Sequence, residues 1–138
     1  MRLLLDTCAV IDLLTDPENL GRGAIELVRD PSNMLYASFE TLRELIVHFN
    51  NKKLLSKHWS TAQEMIDYVQ NELDIEFMPL RTPVGYTYAN LRLNTGQDHR
   101  DPSDHVIISH AITERIALLS SDTRFWFYRD QGLDLIEY

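Results

Sequence analysis

The sequence predicts an α/β fold: a central, mostly parallel sheet of about five strands with helices on both faces. Three observations carry this reading. Short uninterrupted apolar runs, such as Leu3-Leu4-Leu5 and Ala117-Leu118-Leu119, read as strands buried on both sides. Stretches with apolar residues at helical spacing alternate with them along the chain. Aspartates fall where strand ends and helix starts meet, the edge on which open α/β sheets bind ligands.

The elements follow in order. Leu3–Leu5 is the first strand and ends at Asp6. Val10, Leu13 and Leu14 have helical spacing, stopped by Asp16-Pro17. Leu20, Ala24, Leu27 and Val28 form a second helical stripe before Asp30-Pro31. Met34–Ala37 reads as a strand, and Ser38 as N-cap of a helix carrying Phe39, Leu42, Leu45, Ile46 and Phe49. Asn50 to Lys53 is a polar, basic break. A long helix is expected from about His58 to Leu73, with Ser60 and Gln63 at capping-box spacing. Ile75–Pro79 is the third strand. Thr82-Pro83 reads as an N-cap with proline at the first helical position, opening a helix to about Leu93. A polar loop, Asn94 to Arg100, precedes a helix from Asp101-Pro102 to near Arg115. Ile116–Ser120 is the fourth strand, Phe125–Tyr128 an aromatic helical turn, and Leu133–Ile136 the last strand.

At 138 residues the chain predicts one domain, residues 1–138, with a real core. Its 44% apolar and 25% charged residues fit an ordinary globule. A net charge of −8 excludes a surface that grips nucleic acid everywhere, while leaving room for a local basic rim. The lone cysteine, Cys8, excludes an intrachain disulfide and reads as a small packed residue rather than a nucleophile. Met1-Arg2 leads straight into the run ended by Asp6, without a secretory pattern, and no stretch approaches the roughly 20 apolar residues of a membrane span. The expectation is a soluble, cytoplasmic protein with no membrane association. The chain shows no internal repeat, low-complexity segment or linker.

Asp6, Asp104 and Asp122 share the predicted ligand edge, and no lysine or arginine adjoins any of them in sequence. Clustered carboxylates repel unless cations sit among them, and a hard divalent ion suits oxygen ligands. Each acid also has a plainer reading. Asp6 caps the first helix, Asp101 and Asp104 form a capping pair around Pro102, and Asp122 caps the aromatic turn. Glu44 faces away from the Leu42/Leu45/Ile46/Phe49 stripe, on a polar line with Thr41 and His48, where a solvated glutamate is ordinary. Spacing alone leaves both readings open.

Four motifs in order add a resemblance. Leu3-Leu4-Leu5-Asp6-Thr7, Ser38-Phe39-Glu40-Thr41-Leu42-Arg43-Glu44-Leu45, His99-Arg100-Asp101-Pro102-Ser103-Asp104-His105 and Ser120-Ser121-Asp122-Thr123-Arg124-Phe125 span nearly the whole chain. The sequence resembles the PIN-domain ribonucleases, and within them the toxin half of VapBC-type toxin–antitoxin pairs. Three positions depart from the family pattern: Ser103 stands for an aromatic, His105 for an arginine and Ser120 for a threonine.

The resemblance implies strand order 3-2-1-4-5 and a site of Asp6, Glu44, Asp104 and Asp122, with Asp101 as accessory acid and Thr7, Ser38 and Thr41 in support. It implies one or two Mg²⁺ or Mn²⁺ ions, RNA phosphodiester hydrolysis, a cognate antitoxin and a homodimer. Arg100, His105, Arg124, Lys52 and Lys53 are candidate substrate contacts, as are His48, Lys57 and His99; each is otherwise a solvated surface residue. Tyr86, Tyr88, Trp126 and Tyr128 are either exposed stacking groups or core, and Phe125 and Trp126 are expected to bury the sheet edge. Two alternatives stand: a non-catalytic PIN-like scaffold, and a haloacid-dehalogenase-like phosphatase. The second needs an acid two residues after Asp6, where Cys8 stands.

Overall fold

The computed structural model describes residues 1–138. Five strands, β1 (Arg2–Leu5), β2 (Met34–Ser38), β3 (Ile75–Met78), β4 (Ala117–Ser120) and β5 (Leu135–Glu137), form one sheet in the order β3-β2-β1-β4-β5. Every pairing is parallel, with Leu3 beside Leu35 on one side and Ala117 on the other. The central strand is the most apolar: Leu3, Leu4 and Leu5 are fully buried. Its continuous leucine run follows from burial on both faces.

Alternation along the strands sorts the core into two layers. Leu3, Leu5, Leu35, Ala37, Ile75 and Leu119 face helices α1 (Thr7–Thr15), α2 (Gly21–Arg29), α3 (Phe39–Asn50) and α4 (Ala62–Asn71). Leu4, Leu118 and Leu135 face α6 (Pro102–Glu114) and the 3₁₀ turn Phe125–Gln131. Helix α5 (Thr82–Asn90) packs outside α6, where Thr87 and Thr113 share a 2.7 Å hydroxyl contact. No helix is long and apolar enough to cross a membrane.

Several boundaries move from their expected places. The helix expected from His58 begins at Ala62, because Thr61, not Ser60, supplies the cap: Thr61 Oγ1 accepts the Glu64 N–H at 3.1 Å. Glu64 reaches back to accept the Ser60 N–H at 2.8 Å, one residue before the cap, so the capping pair is Thr61 and Glu64, one residue later than Ser60/Gln63. The residues before it form a turn that buries Trp59, whose Nε1–H donates to the Leu54 carbonyl at 2.8 Å. Thr82 is inside α5 rather than its cap; Arg81 holds the N-cap position without a side-chain bond, and α5 ends at Asn90, short of Leu93. Strand β3 stops at Met78, and β5 starts at Leu135 and ends at Glu137.

Candidate metal centre

The carboxyl ends of β1, β2 and β4 and the start of α6 bring the acids to one edge. The Asp6 N–H donates to the Leu119 carbonyl at 3.0 Å, extending the β1–β4 ladder by one step and fixing the turn into α1. Asp6 Oδ1 accepts the Thr7 N–H at 2.8 Å, and Oδ2 accepts the Ser120 hydroxyl at 2.7 Å. The side chain is almost completely buried. Burial pushes its pKa up to about 7; the Ser120 bond opposes this, and the charges of Asp104 and Glu44 add to it.

Glu44 projects from α3 toward the same place. Thr7 Oγ1 donates to Glu44 Oε1 at 2.6 Å. With its proton so used, Thr7 accepts from Thr41 Oγ1 at 3.0 Å. Burial, then the charges of Asp101 and Glu40, raise the Glu44 pKa against that Thr7 bond. The polar line Thr41–Glu44 thus points inward, and Thr41 is fully buried.

Asp101 does cap α6, accepting the Ser103 N–H at 2.9 Å and the Asp104 N–H at 3.4 Å. Asp104 is thereby left free of capping work. Its Oδ2 lies 2.9 Å from His99 Nε2. Burial, followed by the charges of Asp101, Asp122 and Glu44, pushes Asp104 up to about 7. Burial and then the Arg124 charge lower the His99 pKa, which favours the uncharged ring in this contact.

Asp122 is the exception. Burial favours its neutral form, but bonds from the Arg124 side chain and backbone outweigh this and lower its pKa. Arg124 Nη2 also stands 3.8 Å from Asp104 Oδ2. Arg124 is therefore the cation between two of the acids in this structure.

The donor set fits a hard divalent ion. Asp6, Glu44, Asp104 and Asp122 present carboxylate oxygens whose charges act on one another, and such oxygens suit Mg²⁺ or Mn²⁺. Burial leads both shifts and the neighbouring carboxylates add to them, and a cation among the acids would relieve that second part.

Other expected site residues are placed differently. His105 is buried, with Nε2 3.0 Å from the His99 carbonyl and its ring 4.7 Å from the His99 ring, so it presents no face to a substrate. This corrects its reading as a substrate contact. Arg100 is exposed and paired with Asp98. Lys52 and Lys53 are exposed beyond the far end of α3, about two turns past Glu44. Ser38 is buried and caps α3 through the Glu40 N–H at 3.1 Å. Cys8 is exposed as a residue, although its sulfur is partly enclosed; that enclosure and the Asp6 charge push the thiol up to about 12. Phe125 and Tyr128 are fully buried, whereas Trp126 is exposed and does not cover the sheet edge. Tyr86 and Tyr88 are exposed on α5.

Three groups carry roles that the sequence reading did not assign. Ser103 donates to Glu40 Oε1 at 2.7 Å and accepts Arg43 Nη2–H at 2.8 Å, tying α6 to α3 at the site rim. His110 Nδ1 and the Ser38 hydroxyl share a 2.8 Å hydrogen bond, while His110 Nε2 is buried without a partner. His99 joins Asp104 to Tyr128. Only the in-order motif containing His99 signalled any of these.

A model of the PIN domain matches residues 3–129, and the chain belongs to the PIN domain family. Solved structures with the same fold include VapBC2 from Rickettsia felis, bound to a DNA fragment from their promoter, at 22% identity and TM-score 0.74, covering 99% of this chain and 98% of that one. VapBC-1 from nontypeable Haemophilus influenzae has 19% identity and TM-score 0.68, covering 99% and 98%. VapBC-5 from Mycobacterium tuberculosis, a member of the VapBC family of toxin-antitoxin systems, has 19% identity and TM-score 0.61, covering 99% and 98%. No curated protein matches the chain significantly.

Proposed function

We propose that this protein is a Mg²⁺- or Mn²⁺-dependent endoribonuclease and the toxin of a toxin–antitoxin pair. The observation that supports it best is geometric: Thr7 bonds both Asp6 and Glu44, and Asp104 and Asp122 present oxygens within 4.8 Å of each other, at the ligand edge of a PIN-family sheet. These four acids would hold one or two ions, with Asp101 accessory. When bound, such ions stabilise charge on the phosphoryl oxygens and activate water.

The protein's own groups do the positioning. Thr7 and Ser120 fix Asp6, and Thr7 with Thr41 fixes Glu44. One carboxylate orients the attacking water. Arg124 and Arg100 offer phosphate contacts at the mouth, and Lys52 and Lys53 serve more distant phosphates. A phosphatase of the haloacid-dehalogenase kind needs a carboxylic acid two residues after Asp6, and the thiol of Cys8 stands there.

The antitoxin is proposed from likeness to VapBC chains. It lays an apolar segment along the domain and directs a basic side chain toward the acids. The toxin itself is proposed as a cytoplasmic, single-domain homodimer. The test is cleavage of tRNA, mRNA and DNA by the pure protein with Mg²⁺ or Mn²⁺, beside Asp6→Asn. Internal cuts in RNA, absent in the variant, support the reading; cleavage of DNA alone, or equal cutting by the variant, overturns it.

A further inference from the structure

His99, Asp104 and Asp122 present atoms within 4.8 Å of one another, as three ligands of one ion would. Hydrogen-bond directions give His99 a different part. Tyr128 Oη accepts the Asn94 N–H at 3.0 Å. Its own proton then has one partner within reach, His99 Nδ1, also at 3.0 Å. Nδ1 is thus an acceptor, and the ring proton is on Nε2, 2.9 Å from Asp104 Oδ2. The opposite tautomer would strand the buried phenol proton, whichever protonation state Asp104 holds. An imidazolium would create the same conflict at Tyr128. The ring is also held in place: its backbone carbonyl meets His105 Nε2 at 3.0 Å, and Phe125 lies 5.4 Å away, centroid to centroid.

We infer that His99 is a positioning residue and not a metal ligand: Tyr128 fixes its proton on Nε2, and that N–H holds Oδ2 of Asp104 so that Oδ1 faces the cation. The last clause rests on the metal-centre reading above. Asp104 needs such a holder. The capping N–H groups beside it go to Asp101, and Arg124 stays 3.8 Å away.

The test is ¹⁵N NMR of histidine-labelled protein, reading the His99 ring tautomer without metal and through a Mg²⁺ titration. The expected result is the Nε2–H tautomer throughout. Tyr128→Phe should give mixed tautomers and weaker Mg²⁺ binding. His99→Ala should lose about 10–100-fold in Mg²⁺ affinity, and His99→Gln, which keeps an N–H donor, should recover part of it. An Nδ1–H tautomer, loss of the Nε2 proton on adding Mg²⁺, or wild-type affinity in His99→Ala overturns the inference. If His99→Ala does not fold, Tyr128→Phe and His99→Gln carry the test. An Nε2–H ring in a protein that binds no Mg²⁺ keeps the His99–Asp104 bond and removes the metal-centre reading, so the two fail separately.

Discussion

Arg124 grips Asp122 through two parallel hydrogen bonds, Nε to Oδ1 at 3.0 Å and Nη2 to Oδ2 at 2.7 Å. The guanidinium also stands 3.8 Å from Asp104, so it is the cation that sits among these acids and would compete with a metal in the proposed site. Arg124→Gln should therefore destabilise the metal-free protein by about 1.5–3 kcal/mol at neutral pH, the range for a hydrogen bond to a charged group. The same variant should gain more thermal stability from Mn²⁺ than the wild type does. Melting curves with and without Mn²⁺ check both; an equal Mn²⁺ gain in the two proteins would show that Arg124 does not compete for the site.

Asp6 gives a pH signature. Its pKa rises from the ordinary 3.8 to about 7, mainly through burial. Between those values the folded protein holds a proton that the unfolded chain has released. Its stability contribution is full below the unfolded value, falls as pH rises toward 7, and is flat above. Asn carries no such penalty. Metal-free Asp6→Asn should match wild type near pH 4 and exceed it at pH 8 by up to about 4 kcal/mol, at about 1.36 kcal/mol per pKa unit. His99, His105 and His110, whose pKa values are lowered by burial, act with the opposite sign but cancel in the difference. Urea unfolding across pH reads the result, and a constant offset between the two proteins would refute it.

Glu44 depends on Thr7. Thr7→Val removes the 2.6 Å bond to Oε1 and leaves Thr41 without its acceptor. The expected cost is about 1.5–3 kcal/mol for a bond to a charged group, with weaker Mn²⁺ binding. Unfolding free energies and Mn²⁺ titration calorimetry check the pair of effects. Unchanged Mn²⁺ affinity would mean that Glu44 is not a ligand.

The sheet was the most legible part of the fold in the sequence. Doubly buried strands must be apolar throughout, so Leu3–Leu5 and Ala117–Leu119 announce themselves, and the order β3-β2-β1-β4-β5 follows the resemblance. Helix starts were less legible, because adjacent hydroxyls compete for one cap: Ser60 and Thr61 differ only in which side chain reaches the free N–H. The shared edge of the three aspartates was legible because strand-to-helix turns favour acids that can cap a helix. The burial of His105 and the bond between His99 and Tyr128 were not visible, since partners 29 residues apart leave no local pattern. The bond from Arg124 to an acid two residues earlier was not visible either, because spacing does not show which way a long side chain folds.

The cap itself is testable. Thr61→Ala should cost about 1 kcal/mol by freeing the Glu64 N–H, while Ser60→Ala should cost little, since Ser60 contributes only its backbone N–H. Thermal melts of the two variants decide it; a larger loss for Ser60→Ala would return the cap to the earlier position.

The most direct measurement is the rate of RNA cleavage by pure, antitoxin-free protein as Mn²⁺ is titrated, beside Asp104→Asn. Cleavage should be absent in excess chelator, rise and saturate with Mn²⁺, and be lost in the variant. A bound ion should also stabilise the fold, by about 2.7 kcal/mol at a hundredfold excess over Kd, which confirms occupancy in the same samples. Cleavage that persists in chelator, or a folded protein that neither binds Mn²⁺ nor cuts RNA at any concentration, would contradict a metal-dependent ribonuclease built on Asp6, Glu44, Asp104 and Asp122.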